Sequence, residues 1–276
     1  MAHISLVPTP IGNLEDITLR ALRCLREVEV IAAEDTRHSG KLLSHYQIDT
    51  PLVRLDAHTM AARAPEVLAR YTRIAYISDA GMPGISDPGS ELVRLARQRG
   101  DSIDVLPGAS ALLPALVISG LPLGRFHFEG FLPRKGQARR ERLEALVHSP
   151  VTSAFYEAPQ RLCRTLAELQ ALCSPERQVS VSREISKLHE SHYQGSLAEV
   201  QAQLCASKPR GELVVVLEPF TLPPCNDQDD WQRQAQDFAA QGLQGKTLRQ
   251  ALIALGAPRN LAYSLALSQE DAPEPD

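Results

Sequence analysis

The sequence predicts an α/β protein that has two α/β domains and a small helical extension at its C-terminal end. Three observations lead to this prediction. Short apolar runs alternate with helical patterns over residues 1–122, five more strand-like runs follow over residues 123–219, and residues 220–276 show helical patterns without strands. A length of 276 residues suits two modest domains or one large one.

The first predicted domain contains four short apolar strands, HISLVP, VEVIAA, RIAYIS and SIDVLP, each bounded by turn residues. Between them, TLRALRCLREV and PGSELVRLARQRG carry apolar residues at helical spacing. In the second of these helices we expect Asp87 to cap the start, Pro88 to take the first helical position and Gly100 to end it. The alternation predicts a mostly parallel sheet covered by helices.

The second predicted domain begins where two prolines and two glycines interrupt the pattern, in LPLGRFHFEGFLP. Its strand-like runs are RFHFEGF, TSAFYE, RQVSVSRE, KLHESHYQG and GELVVVLE. The third and fourth runs, 178–184 and 187–195, are close enough to form a hairpin, and SLAE at 196–199 is a capping-box start for a helix. We expect a mixed sheet. After it, TLPPCNDQDD is a polar linker, and TLRQALIALG and LAYSLAL predict two short helices joined by a Gly-Pro turn.

Composition and charge set the class of protein. The hydrophobic fraction of 43% and the net charge of −4 are ordinary for a globular protein and exclude a uniformly basic nucleic-acid coat, although a local basic patch is still allowed. Five cysteines without a CxxC pair predict reduced thiols rather than disulfides. No signal-peptide pattern is visible, prolines interrupt the most apolar stretch, and HESH lacks metal-site spacing. We therefore expect a cytoplasmic protein without a metal.

Four irregular loops follow predicted strands in the first domain, namely VPTPIGN, AAEDTRHS, SDAGMPGISDPG and LPGASAL. The carboxyl ends of parallel strands meet at one edge of a sheet, and ligands of open α/β sheets bind there. Packing alone does not require four loops rich in glycine, proline and acidic residues at one edge of a sheet. The sequence therefore predicts a ligand site at this edge.

The loop SDAGMPGISDPG, residues 78–89, is rich in glycine but contains no lysine or arginine. It matches neither GxxxxGK[ST] nor GxGxxG, and a phosphate would meet Asp79 and Asp87 without a cation. Its glycines allow a close approach of the main chain to a ligand. A cationic or zwitterionic ligand suits this loop better than a phosphate does. The alternative is a loop that only caps the following helix.

Two charged segments each allow two interpretations. Residues 33–43 bring Glu34, Asp35, Arg37 and His38 together at a strand end, either as a capped helix start with solvated charges or as a polar cluster that orients a hydroxyl or phosphate. Residues 129–146 form the dense basic segment, and its first cations lie in a Pro/Gly loop. This segment is either a solvated helix face or a contact for nucleic-acid phosphates.

The order of the motifs identifies a family. PTPIGNLEDITLRAL, AAEDTRHS, SDAGMPGISDPG, LPGASA, EGFLPRKG, YEAPQR, RE-SKLHE and GELVVV occur in the order found in the tetrapyrrole-methylase-like S-adenosylmethionine-dependent methyltransferases, which the chain resembles from residue 3 to about residue 267. Within them it resembles the branch that methylates the ribose 2′-oxygen of a decoding-site cytidine in 16S rRNA. The resemblance implies a homodimer with S-adenosylmethionine in the cleft between two domains, and the 30S ribosomal subunit as partner.

The resemblance also implies a set of cofactor contacts in both domains. They are Pro10, Gly12, Asp79, Ala80, Gly81, Ile85, Ser110, Ala111, Tyr156, Glu212 and Leu213. The chain departs from the family at Met82, where threonine is usual, and at Thr59, where asparagine is usual.

Roles for the two charged segments follow as hypotheses. Glu34, Asp35 and Arg37 would remove or stabilise the proton of the ribose 2′-hydroxyl. The cations that would contact rRNA phosphates are Arg134, Lys135, Arg139 and Arg140. Two alternatives stay open: a methylase of a small tetrapyrrole with the same fold, and a non-catalytic RNA-binding protein whose helical tail acts as a helix-turn-helix-like element.

Overall fold

The computed structural model describes residues 1–206, 208–221, 228–240 and 243–270. The chain divides after Pro219 into two compact units. The first unit contains two five-stranded sheets with their helices, and the described part of the second is helical. This architecture confirms the predicted class of two α/β domains with a C-terminal helical part.

The first sheet is entirely parallel, with strand order β3-β2-β4-β1-β5. Its strands are β1 (His3–Leu6), β2 (Val30–Ala33), β3 (Leu52–Arg54), β4 (Arg73–Ile77) and β5 (Ser102–Val105). Its helices are α1 (Leu19–Glu27), α2 (Thr36–His45), α3 (Met60–Arg70), α4 (Gly89–Arg99) and α5 (Leu112–Ile118). Strand β4 is central and buried after its first residue, because helices cover both faces of the sheet.

Three elements of this sheet layer, β3, α3 and α5, were not predicted from the sequence, and one helix start was misplaced. Strand β3 has three residues, and α3 contains Pro65. Pro88 is the N-cap of α4 rather than its first helical residue, and the helix begins at Gly89. Gly100 ends α4 as predicted, in the left-handed conformation with φ of 78°.

The second sheet is mixed, with strand order β6-β7-β10-β8-β9. Only the pairing of β6 with β7 is parallel, and β8 and β9 form the predicted antiparallel hairpin, although β9 begins at Ser191 rather than at residue 187. The strands are β6 (Phe126–Phe131), β7 (Thr152–Glu157), β8 (Gln178–Arg183), β9 (Ser191–Ser196) and β10 (Leu213–Leu217). Their helices are α6 (Gln137–Val147), α7 (Pro159–Leu172) and α8 (Leu197–Cys205).

Strand β10 is apolar on both faces because each face packs against helices. Leu213, Val215 and Leu217 contribute to the core formed with α6, α7 and α8. Val214 and Val216 point to the other side, where they pack with Leu116 of α5. Helix α5 thus links the two sheets. The capping box at the start of α8 is confirmed: Ser196 Oγ accepts from Glu199 N at 3.2 Å, and the Glu199 carboxylate accepts from Ser196 N at 2.9 Å.

The cysteine prediction is wrong for one pair. Cys163 in α7 and Cys205 at the end of α8 form a disulfide, with their Cα atoms 5.8 Å apart. The packing of α7 against α8 brings together two positions that are 42 residues apart in sequence. Cys24 and Cys173 are free thiols, and Cys225 lies outside the described residues.

The helical tail has its own small core. Its helices are α9 (Gln228–Ala240), α10 (Gly245–Ala254) and α11 (Arg259–Glu270), which confirms the two predicted helices and adds one before them. Trp231, Leu248, Leu252 and Leu265 are buried in one cluster. Of the predicted linker, residues 222–227 lie outside the described residues, and α9 begins at Gln228. Across the described residues, every helix is too short or too polar to pass through a membrane.

Candidate active site

The loops that follow β1, β2 and β4 are joined by hydrogen bonds at the carboxyl edge of the first sheet. Thr9 N donates to Gly81 O at 3.0 Å, and Gly81 N donates to Thr9 O at 2.9 Å. Asp35 N donates to the carboxylate of Asp79 at 3.2 Å, which ties the loop after β2 to the loop after β4. Three of the four loops predicted to share one edge therefore form one connected rim.

The loop from Ser78 to Gly89 holds a conformation that depends on its glycines. Gly81 and Gly84 have φ angles of 78° and 92°, where residues with a side chain are strained. A Cβ at Gly89 would lie 2.6 Å from Gly84 N. Asp87 Oδ1 accepts from Gly84 N at 2.7 Å and from Gly89 N at 2.8 Å. Asp87 thus closes the loop on the start of α4, so the loop both caps the helix and shapes the rim.

A first cavity of about 550 Å³ lies between this rim and the second sheet. Five carboxylates line it, and no lysine, arginine or histidine is among its described lining residues. Those acids are Glu34, Asp79, Asp87, Glu157 and Glu212. Its volume lies within the range of small-molecule and cofactor sites. Glu157 is paired with Arg161 and Arg139, and Glu212 with Lys187. The other three acids have no ion pair among the described residues, and they give the cavity a negative environment for a ligand of cofactor size.

Most of the predicted cofactor residues line this first cavity. They are Asp79, Ala80, Gly81, Ile85, Ser110, Ala111, Tyr156, Glu212 and Leu213. Pro10 and Gly12 instead line a second, neighbouring cavity of about 300 Å³, and Ile11 between them lines both. The structure thus gathers segments that are up to about 200 residues apart in sequence around two adjoining spaces.

Other lining residues were not predicted, and their signals in the sequence differ. Phe131 and Tyr156 form an aromatic wall, with ring centroids 5.3 Å apart. The position of Phe131 directly after EG in the EGFLP motif could have suggested it. Ile185 and Val214 are buried core residues whose exposed edge reaches the cavity, and nothing in the sequence distinguishes them from other core positions. Met82, at the departure from the family pattern, also lines the first cavity.

The three residues predicted to act in catalysis are not equivalent. Glu34 lines the first cavity, and burial together with the nearby charges of Asp79 and Asp87 raises the pKa of its carboxyl group. Hydrogen bonds from the side chain and main chain of Arg37 lower the pKa of Asp35 to about 2. Asp35 is also the N-cap of α2, and the Arg37 side chain is 91% exposed. Neither Asp35 nor Arg37 lines either cavity.

The predicted RNA-contacting cations also divide into two groups. Arg134, Lys135 and Arg140 are exposed at the start of α6 and in the loop before it. The side chain of Arg139 is 3% exposed, so its assignment as an RNA contact is wrong for this structure. Its guanidinium donates to Glu168 at 2.8 Å and to Thr165 Oγ1 at 2.7 Å, and it is paired with Glu157. Arg139 is therefore part of the core between α6 and α7, beside the second sheet.

The loop between β8 and β9 forms a charged junction beside the rim. Lys187 Nζ lies 3.0 Å from Glu184 Oε1 and 3.1 Å from Glu212 Oε2. Glu184 Oε1 also accepts from Glu212 N at 2.8 Å. Burial alone would lower the pKa of Lys187, but its hydrogen bonds to Glu184 and Glu212 raise it. Lys187 is consequently a fixed ammonium in the wall of the second cavity, paired with Glu212, which lines both cavities.

Comparison with known proteins places the chain in a family. A sequence profile of the Tetrapyrrole (Corrin/Porphyrin) Methylases matches residues 3–201. The ribosomal RNA small subunit methyltransferase I of Synechocystis sp. is 41% identical over 276 residues, covering 98% of this chain and 99% of that protein. The protein of the same name from Escherichia coli O157:H7 is 38% identical over 284 residues, covering 97% and 96%.

A solved structure supports the same fold. The uroporphyrin-III C-methyl transferase from Thermus thermophilus, complexed with S-adenyl homocysteine, has a TM-score of 0.58 and 21% identity, covering 79% of this chain and 97% of that one. At that identity the likeness concerns the fold alone. The profile match and the two relatives show that the chain belongs to the tetrapyrrole (corrin/porphyrin) methylase family, in the group of ribosomal RNA small subunit methyltransferase I proteins.

Proposed function

We propose that this protein transfers a methyl group from S-adenosylmethionine to the ribose 2′-oxygen of a cytidine in 16S rRNA, the decoding-site cytidine 1402. The observation that carries the proposal is the acidic first cavity without cations, in a chain whose relatives are named as ribosomal RNA small subunit methyltransferases. A tetrapyrrole substrate is the alternative within the same fold.

The first cavity fits a sulfonium cofactor better than a phosphate-bearing one. Asp79 and Asp87 line it without an ion pair among the described residues, and an opposite charge nearby favours a cationic ligand. Tyr156 and Phe131 offer flat apolar surface for an adenine ring and a cationic centre, since aromatic faces attract cations. The rim contributes Gly81, where the main chain can approach a ligand closely. These residues would hold S-adenosylmethionine.

When bound, the cofactor supplies a methyl group whose C–S electron pair passes to sulfur as the new C–O bond forms, while the hydroxyl proton leaves to a base. The chain has to hold the two reactants in line and exclude water, which accounts for most of the acceleration in such reactions. Glu34 is the carboxylate placed to accept the proton, because it lines the cavity and its pKa is raised. Asp35, with a pKa of about 2, is a much weaker base and serves α2 as its cap.

Contact with the 30S subunit would use the exposed cations before and at the start of α6. Arg134 and Lys135 lie in a loop, and Arg140 lies one turn into the helix, all without an ion pair among the described residues. Their charges are free to meet phosphates, which supply most of the sequence-independent affinity for nucleic acid.

We also propose that the protein acts as a homodimer in the cytoplasm. Helix α5 leaves Leu113, Val117 and Ile118 exposed on its outer face, and Phe126 at the start of β6 is also exposed. Leu113 and Val117 are one turn apart on the helix, and exposed apolar side chains placed in this way are typical of protein–protein contacts. The measurement is sedimentation equilibrium of wild type and of Val117→Asp, which should dissociate the dimer.

The experiment that tests the proposed activity is incubation with labelled S-adenosylmethionine and unmodified 30S subunits, followed by mapping of ribose methylation. We expect one labelled cytidine ribose in 16S rRNA. Label on a base, or on an added tetrapyrrole but not on RNA, would contradict the proposal. Calorimetric titration with S-adenosylmethionine tests the remaining alternative, a non-catalytic RNA-binding protein. Such a protein should give no heat of binding.

A further inference from the structure

The second cavity adjoins the first, and the two share part of their walls. Ile11, Ser78, Asp79, Ala80 and Glu212 line both spaces. In-line transfer requires the reacting atoms to lie about 3–3.5 Å apart, so the acceptor has to sit against the donor. A space that shares a wall with the donor cavity is therefore positioned to hold the acceptor.

The two cavities differ in charge. Among the described lining residues, the first has no lysine or arginine and three carboxylates without an ion pair, whereas the second has Lys41 and Lys187 beside Asp79 and Glu212. A sulfonium cofactor and a ribonucleotide carry opposite charges next to their reacting atoms. The lysines line only the second cavity, which therefore suits the anionic ribonucleotide, whereas the first cavity suits the cationic cofactor.

Lys187 is held in place from three sides. Its ammonium is fixed by Glu184 and Glu212, and two of its three N–H donors are used by them. Its aliphatic stem crosses Gly12, where a Cβ would lie 2.2 Å from Lys187 Cγ. Glu184 itself has a positive φ of 54°, a conformation that residues with a side chain rarely adopt. The side chain is 26% exposed, so its third donor can meet a ligand in the cavity.

Lys41 stands on α2, which forms another side of the same cavity. Its side chain is exposed and has no ion pair among the described residues. It brings a positive charge that no neighbouring carboxylate cancels, unlike Lys187. The volume of about 300 Å³ is at the small end for ligand sites, and it suits one nucleotide better than a macrocycle of four pyrroles.

We infer that the second cavity binds the sugar-phosphate of the acceptor ribonucleotide, with Lys41 as its anion-binding side chain, Lys187 as a hydrogen-bond donor to a ribose or phosphate oxygen, and Gly12 as the position that lets Lys187 reach it. This inference rests on the proposed function, because it assigns the RNA side of the same reaction. Lys187 lies nearest to the cofactor wall and faces the ribose oxygen or its adjoining phosphate. Lys41 lies on the α2 side and faces the phosphate of a neighbouring nucleotide.

The test compares Lys41→Met and Lys187→Met with Arg97→Met, a control that removes an exposed charge at the end of α4. We measure binding of unmodified 30S subunits over a series of salt concentrations, and binding of S-adenosylmethionine by calorimetry. Each lysine variant should bind 30S about tenfold more weakly, the equivalent of one charge-assisted hydrogen bond. The slope of log K against log salt should fall by about 0.7–0.9 for each lost phosphate contact. Cofactor affinity should stay within about twofold of wild type for Lys41→Met, and Arg97→Met should match wild type in both assays.

Lys187→Met removes the partner of Glu184 and Glu212, so this variant can lose binding simply because its fold is disturbed. Lys41→Met removes no ion pair among the described residues, and its result therefore decides the test. A wild-type salt slope and 30S affinity in Lys41→Met would overturn the inference, even if Lys187→Met were impaired. The proposed function is tested by a different result: it is contradicted if the wild-type protein transfers no methyl group to a ribose of 16S rRNA. Ribose methylation by wild type together with unchanged 30S binding by both lysine variants would leave the function in place and remove the second cavity as its acceptor site.

Discussion

The main chains of Thr9 and Gly81 exchange a pair of hydrogen bonds, 3.0 and 2.9 Å long, that join the loop after β1 to the loop after β4. Thr9 also donates from its hydroxyl to Ser78 O at 3.2 Å. The two loops border both cavities, so this short bridge fixes the wall between the proposed donor and acceptor sites. Its geometry depends on the left-handed conformation of Gly81.

Gly81→Ala should therefore weaken cofactor binding. A Cβ at this position has room, with Ile11 Cγ2 at 3.4 Å, but an alanine with φ of 78° costs roughly 1–2 kcal/mol. We expect a loss of stability of that size and cofactor affinity lower by about tenfold, because relief of the strain moves the rim. Calorimetry and denaturant unfolding measure the two effects. Gly124→Ala is the control, since nothing lies within 4 Å of its Cβ and its φ is ordinary. Equal cofactor affinity in the two variants would show that the bridge does not set the cofactor site.

Glu34→Gln should abolish the acidic limb of the pH–rate profile. Burial and the charges of Asp79 and Asp87 raise the pKa of Glu34, so its basic form is lost as pH falls through a value above that of an ordinary glutamate. Single-turnover rates of wild type should rise with pH and then level off. The variant should be slower by about a hundredfold or more, the contribution of a general base, with no such limb.

A stability measurement separates this role from a structural one. A carboxyl group with a raised pKa favours the folded state at low pH, and that contribution is lost as pH rises through the folded pKa. Glu34→Gln should therefore be as stable as wild type or more stable at pH 7. Asp35→Asn is the matched control, because its amide can still cap α2 and Asp35 lines neither cavity. A rate loss in Asp35→Asn as large as in Glu34→Gln would contradict the assignment.

Much of this rim was predictable from the sequence because strand ends, glycines and acids are local features. Parallel strands had to bring the loops at Pro10, Glu34, Gly81 and Ser110 to one edge. What the sequence could not provide is the direction of a side chain within an element. Arg139 is adjacent to Arg140, and only the packing of α6 on α7 decides that one is buried and the other exposed.

Elements with weak local signals were missed for a related reason. Strand β3 is only three residues long and pairs with β2 through Leu52, Val53 and Arg54, so its partner defines it more than its own composition does. Helix α3 carries Pro65 in its interior, which ordinarily predicts a break, yet it buries four side chains against the sheet layer. In both cases tertiary contacts override local preference.

Reduction of the disulfide between Cys163 and Cys205 should destabilise the first unit. A closed loop spanning 42 residues restricts the unfolded chain by about 4 kcal/mol in the chain-entropy account, and measured effects are commonly 2–4 kcal/mol. We expect Cys163→Ser with Cys205→Ser to lower the free energy of unfolding by about that amount, and a reductant to shift wild type to the same value. Guanidinium unfolding with and without reductant measures this. Cys173→Ser, at a free thiol, should show no effect of the reductant beyond that of wild type. A wild-type midpoint that does not respond to reductant would contradict the prediction.

The neighbours Arg139 and Arg140 should separate stability from RNA binding. Arg139 is paired with the buried Glu157 and the partly exposed Glu168, and Arg139→Ala removes one partner from each, although Glu168 keeps its pair with Arg164. Loss of one member of a buried ion pair costs about 3–5 kcal/mol, and Arg161, which still pairs with Glu157, should place the effect at the lower end. Arg140→Ala should change stability by less than about 0.5 kcal/mol.

The same Arg140→Ala protein should bind 30S subunits more weakly and with a smaller salt slope, because its cation is exposed. Denaturant unfolding and salt-dependent 30S binding on both variants measure the two properties. A stable Arg139→Ala protein with reduced RNA affinity would mean that Arg139 leaves the core to contact RNA, the role first predicted from the sequence.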